Sequence, residues 1–334
     1  MPTGINSTTG IAGLTLGGGF GWLSRKYGMT VDNLISARVV LADGEVVVAS
    51  GSENQDLFWG LRGGGGNFGV VTSFEFQAHS VGPEILSGLI VHPFSEAKNV
   101  LQAYREFLES APDELTVWAV MRKAPPLPFL PEEVHGTEIL ILAAMYTGDI
   151  SDGEVALAPL RAVGNPIADV IGPHPFVGWQ QAFDPLLTPG ERNYWKTHDF
   201  AAMSAEMIDT VLAYVATLPD PQSEVFFAHL GGAQGRLPED ATAAQGRSAR
   251  YLMNIHGRWS DASLDEGGIG WCRNLWNAMG KYATGEAYVN FMTQEEGERL
   301  ELAYGSSYER LVQLKDRYDA HNLFRMNQNI PPTV

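Results

Sequence analysis

The chain has 334 residues, 45% hydrophobic and 18% charged, with a formal net charge of −17 at pH 7. Such a length and apolar content suit a globular protein of about two domains, while the acidic balance argues against nucleic acid or anionic membrane as a partner, since both call for basic patches. A single cysteine, Cys272, excludes an internal disulfide and a Cys-x-x-Cys zinc site.

The opening MPTGINSTTGIAG lacks a basic segment followed by an apolar one. No apolar run approaches the ~20 residues of a membrane span. A cytoplasmic location is therefore expected. Residues 13–34, GLTLGGGFGWLSRKYGMTVDNL, place Gly17, Gly18 and Gly19 between an apolar run and a turn. Glycine weakens regular structure by about 0.5–1 kcal/mol relative to alanine. A cluster of it in apolar surroundings predicts a backbone approached closely by a ligand.

LISARVVLADGEVVVAS then reads as two strands joined by a two-residue turn at Asp43-Gly44. SENQDLFWGLR predicts a short helix with Phe58, Trp59 and Leu61 inward, and GVVTSFEF a strand. Gly64, Gly66 and Gly69 formally spell G-x-G-x-x-G. A helix precedes that motif and a strand follows it, the reverse of a dinucleotide fingerprint, so it is rejected as one.

From about residue 81 the pattern changes to strands in ILSGLIVHPF, ELTVWAVMRK, TEILILAAMYTG, SEVFFAHLGG and ARYLMNIHGRW. Ala97, Val100, Leu101, Tyr104 and Leu108 fall on one helical face, with Ser95 as N-cap. Ile208, Val211, Leu212 and Val215 mark a second helix, and Trp271, Leu275 and Met279 a third. Without strict β-α alternation this predicts an antiparallel sheet with helices on one face. In the tail, AYVNF reads as a strand. SSYERLVQLKDRY reads as a helix with Tyr308, Leu311, Leu314 and Tyr318 inward, and DAHNLFRMNQNIPP as a closing turn.

GIAGLTLGGGFGWLSRKYGMTVDNL, DLFWGLRGGGGNFGVVTSFEF and YERLVQLKDRYDAHNLFRMNQNIPP together resemble the FAD-linked oxidases of the berberine-bridge-enzyme group, within the vanillyl-alcohol-oxidase (PCMH-type FAD) superfamily. The resemblance is close over residues 4–80 and 286–332 and covers the region between in general pattern. It implies an α+β chain: an incomplete PCMH-type FAD-binding domain and a substrate domain of antiparallel sheet flanked by helices. The boundaries are 1–80 for the second FAD lobe, 81–285 for the substrate domain, and 286–334 for a segment returning to the FAD domain. The cofactor implied is FAD, contacted by Thr9, Gly10, Gly13, Gly19 and Phe20, with Gly69 and Val70 near the adenine end. Tyr288 and Asn290 match the family's Tyr-x-Asn beside the isoalloxazine.

Three departures accompany the match. Asn6 stands where many relatives carry a flavin-linking cysteine, so FAD is expected to be non-covalent or absent. The resemblance implies that the sequence begins midway through the family's FAD domain, and a chain without the lobe that carries the linking histidine is expected. Phe291 replaces a tyrosine and Arg236 a glutamate that serve as base in some relatives, leaving Tyr288 as the catalytic candidate.

The resemblance implies an oxidase passing hydride from a small organic substrate's C–H to flavin N5, with O₂ reoxidising the flavin. Trp118, Met145, Phe227, His229, Tyr251 and Asn254 are the alternation-based candidates for substrate lining. A flavin-free descendant that binds a small molecule or partner is the alternative reading. Half a cradle is expected to bind FAD weakly and to leave Ile11, Leu14, Leu16 and Phe20 uncovered. That in turn predicts a homodimer or a separate N-terminal lobe as partner.

Overall fold

The computed structural model describes residues 1–325 and 328–333; Met326 and Asn327, inside the tail motif, and Val334 lie outside the described residues. The chain divides into two compact units. One comprises Met1–Ser80, Gly231–Ser248 and Glu286–Val334, the other Val81–Leu230 and Ala249–Gly285.

The first unit opens with short helices α1 (Ile11–Leu16) and α2 (Ser24–Tyr27), then strands β1 (Leu34–Val40) and β2 (Val46–Ser50), helix α3 (Gln55–Leu61) and strand β3 (Val70–Phe76). The antiparallel sheet runs β2-β1-β3. Its hairpin loop is one residue longer than the Asp-Gly pair suggests. Leu41 N–H bonds to Glu45 O at 2.9 Å and Gly44 N–H to Leu41 O at 3.0 Å, so Ala42, Asp43 and Gly44 form the loop. Gly44, at φ +86°, takes the left-handed position that follows the turn.

β1's Leu34, Ala37 and Val39 and α3's Leu57, Phe58 and Leu61 share one core with the tail helix α10 (Tyr308–Tyr318), which contributes Leu311 and Leu314. A shorter helix, α9 (Leu300–Tyr304), precedes it. Gly231–Ser248, which sequence pattern assigns to the middle domain, belongs here instead. Arg247, 1% exposed, makes a two-pronged ion pair to Asp32 at 2.7 and 3.1 Å, and Trp59 Nε1 donates to Asp240 O at 2.9 Å. These contacts are set by residues far apart in sequence, so pattern alone does not show them.

The tail is secured by Lys315, which is fully buried. Its ammonium donates to Asp319 Oδ2 (2.6 Å), Phe324 O (2.6 Å) and Asn67 O (3.0 Å). Burial alone would raise the Asp319 carboxyl; Lys315 and the N–H groups of Leu323 and Phe324 outweigh it and hold it below the usual carboxylate range.

The second unit contains β4 (Glu84–Pro93), α4 (Ala97–Leu108), β5 (Leu115–Lys123), β6 (Glu138–Tyr146), α5 (Ile150–Arg161), β7 (Ala168–Asp169), β8 (Gly172–Pro175) and α6 (Phe176–Gln181). After these come β9 (Arg192–Phe200), α7 (Ala205–Val215), β10 (Glu224–His229), β11 (Tyr251–Trp259) and α8 (Asp265–Met279). The antiparallel sheet has the order β7-β4-β6-β5-β10-β11-β9, with β8 also pairing β4.

One face of that sheet packs on α4, α5, α7 and α8. The five α4 positions picked out by spacing are all buried. Ser95 is not its cap, because Phe94–Glu96 forms a 3-10 turn ahead of the helix. Ser204 does cap α7, accepting from Met207 N at 3.1 Å. Burial pushes the Cys272 thiol up to about 12, which keeps this lone cysteine inert. Among the described residues no helix is long and apolar enough to cross a membrane, and no cluster suits a metal ion.

His92 on β4 is fully buried, and neither ring nitrogen has a hydrogen-bond partner. Burial lowers its pKa, against opposing pulls from Glu96 and Asp169. The unfolded chain therefore takes up this proton below about pH 6.5 while the folded chain still resists it, so stability falls as pH drops through that window. Urea melts of His92→Leu should show a smaller stability loss between pH 7 and pH 5 than wild type; an unchanged slope would count against this role. Replacing Lys315 with Met strands the Asp319 carboxylate in the core. Urea denaturation should show a loss of about 3–5 kcal/mol, part of it recovered when Asp319 is changed to Leu as well.

Candidate functional site

The glycine-rich stretch separates into two parts. Gly17, Gly18 and Gly19 are buried and pressed against protein side chains. A Cβ at Gly17 would lie 2.1 Å from Asn290 Oδ1, at Gly18 2.8 Å from the Met29 methyl, and at Gly19 2.3 Å from Thr30 Oγ1. Gly19 also has φ +85°, strained for any L side chain. These contacts account for the three glycines without a ligand.

Gly10 and Gly13 differ. Residues 7–13, Ser-Thr-Thr-Gly-Ile-Ala-Gly, are exposed without interruption, and a Cβ on Gly10 or Gly13 would meet nothing within 4 Å. Gly10 stands at the N-cap of α1, where no side chain caps the helix, and the first N–H groups of a helix have no partner within it. Just before it, Asn6 Oδ1 is buried without a hydrogen-bond partner. Thr9 packs its side chain over Gly4 and gives its N–H to Asn6 O at 3.3 Å. A bare backbone and uncapped helix N–H groups suit a phosphate, and an orphaned amide oxygen suits a ribityl hydroxyl, so the residues of this stretch fit FAD.

Tyr288, Asn290, Gly19 and Phe20 do come together. AYVNF is not a strand: residues 289–291 make a 3-10 turn, with Phe291 N–H on Tyr288 O at 3.0 Å. The turn brings side chains at 288 and 290 to one point instead of sending them in parallel off a sheet. Asn290 Nδ2 donates to Tyr288 Oη (2.9 Å) and Leu14 O (3.1 Å), and Gly19 N–H donates to Tyr288 Oη (3.2 Å). Phe20, Tyr288 and Phe291 meet edge to face at 5.0–5.8 Å. Phe20 is only 3% exposed, so it is not the uncovered surface that sequence suggests, whereas Ile11 stays 36% exposed.

Gly69 and Val70 sit elsewhere in the unit. Gly69 is fixed by β1, where a Cβ would strike Val39 Cγ1 and Val40 O at 2.6 Å, and Val70 starts β3 with 55% of its surface open.

In the second unit the proposed lining residues fall on opposite faces. Phe227 and Tyr251 belong to the helix-packed core, and His229 shares their strand phase. Trp118, Met145 and Asn254 point the other way. There Trp118 stacks on Phe226 with ring centroids 5.8 Å apart, and Asn254 pairs in register with Phe226 and Thr197. Asn254 Oδ1 is buried with no hydrogen-bond partner. Phe226 and Thr197 escaped the sequence reading; following one alternation phase outward from Asn254 through the paired strands would have found them.

Comparison with known proteins fits this geometry. A model of the berberine and berberine-like family matches residues 287–331, and one of an FAD-binding domain matches residues 2–50. An FAD-linked oxidoreductase of Dictyostelium discoideum is 30% identical, over 99% of this chain and 70% of its own length. (R)-6-hydroxynicotine oxidase of Paenarthrobacter nicotinovorans is 28% identical, over 99% of this chain and 72% of its own. The structure of wild-type BBE-like 1 of Physcomitrella patens matches with a TM-score of 0.86 at 24% identity, covering 99% of this chain and 72% of that one, and shares the α+β PCMH-type fold. The chain belongs to the berberine-bridge-enzyme-like FAD-linked oxidoreductases.

The two kinds of glycine predict opposite responses to alanine. Gly19→Ala should lower stability by about 2–4 kcal/mol through backbone strain and the Thr30 clash. Gly13→Ala should leave it unchanged or raise it by up to about 1 kcal/mol, since alanine is the better helix former. Denaturant melts of both variants check this, and equal losses would contradict the open face of α1.

Proposed function

We propose that this chain is an FAD-dependent oxidase that acts on a small organic substrate at a C–H bond next to oxygen or nitrogen. The open, exposed run Ser7–Gly13 beside the unsatisfied Asn6 amide is the observation that carries the reading. Bound there, FAD would supply a hydride acceptor and a route to O₂.

The chain's own part is binding, orientation and proton handling. Residues 7–13 offer backbone N–H groups with no Cβ in the way at Gly10 and Gly13. Asn6 has no thiol, so the cofactor is held there without a cysteinyl bond. In the second unit the Trp118–Phe226 stack gives a flat apolar platform, and Asn254 Oδ1 offers one acceptor to orient a substrate N–H or O–H. Tyr288 is the candidate to hold the substrate proton at Oη, with the Gly19 N–H and the Asn290 amide fixing that oxygen in place. Phe291 has no acidic proton and can only pack. A flavin-free binding protein is the second reading, favoured by this reduced set of proton acceptors.

Acid precipitation of flavin-loaded protein should leave the flavin in the supernatant and the peptide bearing Asn6 at its unmodified mass. A flavin-modified peptide at that position would overturn the non-covalent assignment, and protein that retains no FAD on equilibrium dialysis would favour the flavin-free reading. Gly13→Ala should weaken flavin retention while the fold stays intact. Tyr288→Phe should lower turnover about 10²-fold or more at similar KM; turnover within a few-fold of wild type would remove Tyr288 as the proton acceptor.

A further inference from the structure

We propose that the second unit carries a separate binding site for a small organic cation, on the helix-covered side of its sheet. The site is independent of the flavin reading. A cavity of about 640 Å³ opens between the end of α7, the loop after it, the end of β11 and the first turns of α8. That volume lies within the range of about 300–1,000 Å³ typical of small-molecule sites.

Tyr214, Trp259 and Trp271 supply aromatic wall, and Asp220 and Glu266 supply two carboxylates. No Lys, Arg or His is among the lining residues. The neighbouring Asp265 shows what a satisfied carboxylate looks like here. It is gripped by Arg192 at 2.5 Å and by the Trp259 indole N–H at 2.7 Å. The Asp220 carboxylate accepts the Gln222 N–H at 2.8 Å, and among the described residues neither it nor Glu266 forms an ion pair. Unneutralised carboxylates beside aromatic rings favour an ammonium ligand, repel anions, and offer neutral alcohols only hydrogen bonds.

The sequence of α8 adds an independent observation. Gly268 is demanded by packing, because a Cβ there would lie 2.4 Å from the Trp259 ring. Gly267 and Gly270 also line the cavity, yet a Cβ on either would meet nothing within 4 Å. Packing does not ask for glycine at these two positions, and helix propensity disfavours it. Their bare backbone keeps the cavity wall open. The sheet separates this cavity from the Trp118–Phe226 platform: Met253 and Ile255 of β11 enter the helix-packed core, and Asn254 between them points the opposite way.

The test is a titration of the protein with benzylammonium, read by calorimetry and by the fluorescence of the lining tryptophans, with benzyl alcohol and benzoate as neutral and anionic controls. Benzylammonium should saturate one site, with benzyl alcohol weaker by about tenfold or more. Asp220→Asn with Glu266→Gln should weaken benzylammonium by about tenfold without altering flavin content. Gly270→Leu should abolish binding while the melting temperature stays equal to or above wild type, since leucine is the better helix former. Benzyl alcohol binding as tightly as benzylammonium, no saturable binding at all, or full affinity in a folded Gly270→Leu protein would each overturn the proposal.

Discussion

Lys315 gives its three ammonium protons to Asp319, to the Phe324 carbonyl and to the Asn67 carbonyl, in a place where no water reaches it. A charge buried this way is tolerated only because every donor finds an acceptor. The same residues then hold the surrounding chain. The Asp319 carboxylate takes the N–H groups of Leu323 and Phe324. The Asn67 amide bonds to Gly64 O, Gln328 O and Ile330 N. One ammonium thereby ties the tail to the glycine loop that leads into β3. Arg247 and Asp32 do corresponding work within that unit, fixing an excursion of the chain beside the Met29–Asn33 turn that backs Gly18 and Gly19.

Elements with a strong local period were legible in the sequence. Ala97 to Leu108 could face only one way on a helix, and β1 with β2 announced itself by valines around Asp43-Gly44. The excursion Gly231–Ser248 was not legible, because its place depends on Arg247 finding Asp32 across 215 positions. AYVNF misled for a different reason. Its aromatic and branched residues favour a strand, but tertiary bonds from Asn290 to Leu14 and from Gly19 to Tyr288 hold it in a turn, overriding a weak local preference. Sequence spacing grouped Trp118, Met145 and Asn254 with Phe227 and Tyr251, which lie on the opposite face, because alternation gives two faces and register decides which face is which.

The Tyr288 cluster shows how a site and a scaffold can share residues. Gly17 is glycine because Asn290 occupies the space of a Cβ, and Asn290 is held there by Leu14 and Tyr288. The positions of the tyrosine oxygen and of the glycine stretch are therefore one constraint, written at residues 14–19 and again at 288–290. A change at either end moves the other. That coupling explains how the Tyr288 oxygen can keep its place on a short turn, where local structure alone would leave it free.

Glycine carries different information according to what surrounds it. In loops and at left-handed positions it needs no ligand to explain it, and against Asn290, Thr30 or Trp259 it is a packing requirement. Inside a helix with empty space beyond, neither reason applies, and propensity works against it. Openness alone is a weak sign, since Gly178 in α6 is open as well. It becomes informative where a second feature converges on the same spot. At Gly13 that feature is an exposed run beside an unsatisfied amide. At Gly270 it is a cavity lined by the carboxylates of Asp220 and Glu266. In both helices glycine leaves the backbone bare beside such a second feature, which is why these two positions, and not Gly178, carry the proposed ligands.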